Sequence, residues 1–113
     1  MIEVVIRDAL LTELTVPVVF ETPENKPESY VVLEKTGSQR NNRLDRATFA
    51  IQSVAPTLYE AAALNESVKV VMDQLPYLAA NVFSAALNSD YNFTDPESKE
   101  RRYQAVYIIT YKE

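Results

Sequence analysis

Neither cysteine nor histidine occurs in the chain, tryptophan is absent, and glycine occurs once, as Gly37. Without cysteine there are no disulfides and no thiolate metal sites. Without histidine as well, a Ser-His or Cys-His nucleophile pair, a histidine metal site and imidazole acid–base catalysis are all excluded. A single glycine rules out a phosphate-binding loop and a dinucleotide fingerprint, both of which need several. No apolar run approaches the length of a membrane span, and the first residues lack the basic-then-apolar pattern of a secretory signal, so a soluble intracellular product is expected.

What is present suits a folded domain. Hydrophobic residues make up 47% of the 113 positions and aromatics 10%, which argues against general disorder and predicts one domain over 1–113. The net charge of −5 speaks against generic nucleic-acid binding, but the charge is unevenly spread. Arg40, Arg43 and Arg46 surround Asp45, and Lys99, Arg101 and Arg102 surround Glu100. These clusters leave five bases against fourteen acids elsewhere. The pattern predicts two basic loop tips on an acidic body.

The stretch 43–75 organises the chain. From Ala47 to Ala55, Phe49, Ile51 and Ser53 alternate with Thr48, Ala50, Gln52 and Val54, the period of a strand. Pro56 stops it. Thr57 lies three residues before Glu60, the spacing of a capping box, and predicts a helix that follows to residue 75 and ends at Pro76. Its apolar stripe is Ala61, Leu64, Val68, Val71 and Leu75. Helical spacing also predicts a helix over 2–14, with a strand as the alternative for its β-branched opening IEVVI. Strands are predicted at 18–21, 30–35, 44–55, 83–93 and 103–111, with TGSQRNNRLD a long exposed loop between the second and third. The last two strands pair as a hairpin, and the final one carries Tyr103, Tyr107 and Tyr111 on one side with Val106 and Ile108 on the other. Both of its faces look fit for burial, so a second helix or another subunit is expected to cover one of them.

No catalytic constellation emerges, and the chain reads as a non-enzyme without cofactor or metal. Asp45 with Glu34, or Asp90 with Asp95, could form a carboxylate pair, but such pairs are common in any acidic sequence. DYNFTDPE lacks the alternation and glycine of a calcium loop. The sequon Asn65-Glu66-Ser67 falls inside a helix and reads as chance. The arginines at 40–46 are either a solvated tip or a contact surface, arginine being enriched at interfaces.

The segments PENKPESYVVLEKTGSQRNNRLDRATFAIQSVAPTLYEAAALNESV and DYNFTDPESKERRYQAVYIITY resemble the tail-completion proteins of long-tailed bacteriophages and prophages, the group of tail terminators and tail-to-head joining proteins. The likeness lies in the order and spacing of the whole set, with no one diagnostic motif. It implies an α+β fold, a mixed or antiparallel sheet of about five strands with two helices packed against it. It also implies a ring in the virion neck, with six subunits expected, that caps the tail tube protein and meets the head-completion or connector protein. DNA would pass through its lumen without sequence-specific binding, and the host cytoplasm would be the place of assembly. A ring needs a head-to-tail interface. Arg40, Arg43, Arg46, Tyr103, Tyr107 and Tyr111 are the candidate assembly contacts. The competing reading is a small adaptor or regulatory domain that binds one protein partner as a monomer or dimer.

Overall fold

Strand β3, Leu44–Ala55, runs down the middle of the molecule between β2 (Tyr30–Asn41) and β5 (Arg101–Tyr111). In the computed structural model, which describes residues 1–98 and 100–113, five strands form one mixed sheet in the order β1-β2-β3-β5-β4. Strand β4 (Val82–Asn92) pairs antiparallel with β5, and β1, only Val18–Val19, pairs parallel with β2. Three helices accompany the sheet: α1 (Ile2–Glu13), α2 (Leu58–Asp73) and the single turn α3 (Leu75–Leu78). The expected α+β class and strand number hold, with one short helix more than the sequence suggests.

The register decides which residues meet the helices. Ala47, Phe49 and Ile51 lie opposite Ile109, Tyr107 and Ala105, and all six are buried with Leu33 and Val31 of β2. Successive strand residues point to opposite faces, so these form one side of the sheet. Ile2, Ile6 and Leu10 of α1, Val68, Val71 and Met72 of α2, and Leu75 of α3 close over it in a continuous core. Burying side chains of this size contributes about 1.5–3 kcal/mol each. All three helices therefore lie on the odd-numbered side of β3 and β5.

The other side is covered over one end alone. There Tyr30, Val32 and Val54 are buried in a second small cluster with Val19 against it. The proline-bounded segment 20–29 runs past this end, where its Lys26 reaches Glu100.

The α2 start is built in part as its sequence indicates: Thr57 is extended and its hydroxyl accepts a hydrogen bond from the Glu60 amide at 3.1 Å, while among the described residues the Glu60 carboxylate makes no return bond to the Thr57 amide. Its end is not. Helix α2 stops at Asp73, and Pro76 sits in the first turn of α3, where a missing amide hydrogen costs nothing. The buried stripe also differs. Asn65 and Met72 are buried, whereas Leu64 is half-covered, because Asn65 turns towards β4 and donates to Asp90 at 3.3 Å.

The loop expected over 36–45 does not exist as such. Strand β2 continues to Asn41, and only Asn42 and Arg43 make the turn, with φ of 51° and 69°. Positive φ at both central residues matches a two-residue hairpin turn whose twist suits the flanking strands. Asn tolerates that conformation, while for Arg43 it costs on the order of 1 kcal/mol.

Val68 is fully buried and Glu66 is exposed. Val68→Asp places a carboxylate against the sheet and is expected to cost several kcal/mol. Glu66→Gln loses only a surface pair with Lys69, worth less than about 1 kcal/mol. Urea midpoints check this, and equal midpoints would mean a different helix face is buried. Thr57→Ala should lower stability by about 1 kcal/mol through loss of the cap.

Candidate assembly surfaces

Alternation along the hairpin separates the three tip arginines. Arg40 lies opposite Asp45 on the helix-bearing side of the sheet, Arg46 opposite Gln39 on the other, and Arg43 at the apex. Arg40 holds Asp45 through two hydrogen bonds, Nε to Oδ1 at 2.6 Å and Nη2 to Oδ2 at 3.1 Å. These bonds keep the Asp45 carboxyl below its ordinary range and lift the Arg40 guanidinium above its own. Arg40 thus serves to close Asp45, the one buried acid among the described residues, at the end of the core. Arg43 and Arg46 make no ion pair among the described residues. Arg46 stands on the helix-free side, where a hollow of about 390 Å³ is lined by Gly37, Ser38, Gln39, Arg46, Thr48 and Ile108. The sequence-level patch of three is therefore two groups with different work.

The three tyrosines of β5, expected as subunit contacts, differ in their surroundings within the protomer. Tyr107 is fully buried and Tyr111 nearly so, both inside the protomer beneath the helices. Tyr107 donates to Asp73 Oδ1 at 2.7 Å, and burial followed by that carboxylate pushes its phenol well above the ordinary range. Neither ring lies on the protomer surface. Tyr103, opposite Ser53, is half-buried and keeps some exposure at the far end of the same side. The face of the terminal hairpin that remains open is the even-numbered one, with Val106, Ile108 and Thr110.

The second basic cluster is not a free tip. Lys99 lies outside the described residues, and Arg101 donates to the Ser98 carbonyl. Arg102 donates through Nη1 to Gln52 at 2.6 Å and approaches Glu100 at 3.5 Å. Glu100 accepts from the Tyr30 hydroxyl at 2.9 Å and from Lys26 at 3.2 Å, tying segment 20–29 to the start of β5. Gln52 donates to Gln104 at 3.0 Å, and Gln104 to the Tyr91 hydroxyl. Tyr91, Gln104 and Gln52 are successive cross-strand partners, so this polar row crosses the helix-free face. It separates the covered end, at Tyr30 and Val54, from an open half with Thr48, Ala86, Ile108 and Arg46. Glu100 and the two glutamines escape a reading of the sequence because each is an ordinary polar residue whose partners lie far along the chain.

The imagined carboxylate pairs do not form. Asp45 and Glu34 fall on opposite sides of the sheet, and Asp90 is held by Asn65 and Lys69. Asp95 accepts from the Glu97 amide within its own turn. Among the described residues no group of three or more acids converges as metal ligands would. The sequon asparagine, Asn65, is buried.

The Glu100 latch has a definite pH signature. Burial pushes its pKa up, but the Tyr30 and Lys26 hydrogen bonds outweigh this and hold it below the ordinary value of 4.5. Burial and Glu100 together push Tyr30 up to about 12. A depressed carboxylate pKa contributes stability above the unfolded value and loses it as pH falls through the folded one. Glu100→Gln is therefore expected to lower the unfolding midpoint at pH 7, with the gap to the parent chain closing below pH 4.5. A gap that persists unchanged to pH 3 would show that the latch does not act through this charge.

No protein-family model matches the chain, and no curated protein matches it in sequence. Among solved structures, the fold is similar to a chain of the virion of the native gene transfer agent particle, with a TM-score of 0.64 at 14% identity. The match covers 95% of this chain and 84% of that one. At that identity the likeness is one of fold: the same architecture, over nearly the whole length, occurs in a virion component.

Proposed function

We propose that the chain is a structural subunit of a phage-type virion, and that it works as a ring at the head-proximal end of a tail, joining it to the head connector. The observation that carries this reading is the near-full-length likeness of fold to a chain of a gene transfer agent virion. The resemblance of the two quoted segments to tail-completion proteins points the same way and supplies the position in the particle. A ring subunit works through surfaces, and the surface of this protomer is markedly uneven. One sheet face is half open, two strand edges are free, and Arg43 and Arg46 project at one end. Different patches of this kind suit head-to-tail contact around a closed rotation.

Size-exclusion chromatography with light scattering on concentrated protein tests the reading. A closed oligomer, six subunits being expected, supports it, whereas a monomer or a two-fold dimer at every concentration supports the adaptor alternative. Within the ring reading, Arg43 and Arg46 face the partners and Arg40 does not. Replacing Arg43 and Arg46 by Ser should leave the unfolding midpoint within about 0.5 kcal/mol of the parent, as surface changes usually do. The same pair of changes should reduce joining of heads to tails in particles assembled with the variant. Normal joining would leave these arginines without a role in assembly, and salt-sensitive DNA retention lost with them would assign them to phosphate instead.

A further inference from the structure

The sheet ends in two open edges. β1 pairs with β2 only at Val31 and Val32, so from Glu34 to Asn41 β2 has no strand on its far side among the described residues. β4 has none from Val82 to Asn92. Free edges are commonly blunted by bulges. Here β2 is irregular between Lys35 and Gly37, and β4 between Val82 and Ser84 and between Leu87 and Ser89. The regular stretches beyond these are Gly37–Asn41 on the β2 edge and Ser84–Leu87 and Ser89–Asn92 on the β4 edge.

Of these, Gly37–Asn41 and Ser84–Leu87 lie at the same height, whereas Ser89–Asn92 is level with the part of β2 before the irregularity. Gly37 pairs with Thr48, Thr48 with Ile108 and Ile108 with Ala86, one row across four strands. Ser38, Ala47, Ile109 and Ala85 make the next row. Their directions also match. Three antiparallel pairings separate β2 from β4, so the two edge strands run opposite ways. A second copy related by rotation about an axis along the strands would lay its β4 antiparallel to this β2, with the helices of both on the same side.

Gly37, beside the irregularity of β2, leaves this edge without a side chain. Its φ is outside the left-handed region, so the backbone does not require glycine. A Cβ placed there would meet nothing within 4 Å, so the packing of the protomer does not require it either. Glycine within a strand weakens it and marks either a bulge, such as the one it borders here, or a site where another backbone approaches closely.

We infer that β4 of one copy adds to the free edge of β2 in the next, antiparallel, with the Ala86 row meeting Gly37, so that the sheet continues from subunit to subunit. Main-chain hydrogen bonds supply the contact, and the small side chains at Gly37 and Ala86 let the strands close. The inference rests on the ring reading and names its interface.

Paired cysteines test it, since the chain has none of its own. Within one protomer, positions 37 and 86 are three strand spacings apart, about 14 Å, beyond the roughly 7 Å that a disulfide spans. After mild oxidation, Gly37→Cys/Ala86→Cys should give a covalent ladder that collapses on reduction. Each single variant should give no cross-link, and an equimolar mixture of the two should give dimer only. Cross-linking of Gly37→Cys alone would overturn the inference in favour of a two-fold contact. An oligomer seen by light scattering but never cross-linked in the double variant overturns the edge pairing and leaves the ring reading standing. A chain that stays monomeric and unlinked at the highest concentration overturns both.

Discussion

The molecule depends on one constraint: the side chains of β3 and β5 that share a face must be buried under α2. Phe49, Ile51, Ala105, Tyr107 and Ile109 are all fully buried, and Val68 and Met72 of α2 close over them. Once that register is set, every other placement follows by alternation. Asp45 falls on the helix side and draws Arg40 onto it, while Arg46 falls on the opposite side. A slip of one residue between β3 and β5 would exchange the two faces and turn Tyr107 outward.

The two sides of the sheet are stabilised in different ways. The helix side is apolar burial with a few polar anchors, Tyr107 on Asp73 and Asp90 on Asn65. The other side is held by one small apolar cluster and a polar row, tied at its end by Glu100 to segment 20–29. Beyond that row no helix or strand among the described residues packs over Thr48, Ile108 or Ala86, and the first two are only half-covered. The half-open face lies at the end where β2 has no strand on its far side among the described residues, and the opposite end is covered by β1 and the segment 20–29.

Much of this was legible from residue order. The alternation over 44–55 marked β3 with its observed limits, and Thr57 with Glu60 marked the start of α2, because both signals are local. The length of β2 was hidden. Thr36 to Asn41 is polar, and polarity there reflects a strand with a free edge and an exposed surface, which local composition cannot distinguish from a loop. Asn42-Arg43 is also a weaker turn signal than Asn-Gly. The tyrosines illustrate a deeper limit. Period two shows that Tyr103, Tyr107 and Tyr111 share a face, but the face that receives the helices is set by pairing with β3, and that register is not local. The Tyr30–Glu100 contact joins residues 70 positions apart and has no sequence signal at all.

Ala50 and Val106 are direct cross-strand partners, yet α2, α3 and β4 lie between them along the chain. The pair at the centre of the sheet is thus a long-range one, and its loop entropy must be met before its contacts form. During synthesis β2, β3 and α2 emerge first, and the edge of β3 that β5 will occupy stays open until the last eleven-residue strand arrives. A nascent chain in that state offers a bare, apolar strand edge, the feature most prone to pairing with other copies. Rapid completion of β5 therefore protects the chain, and truncation before Tyr111 should show first as aggregation.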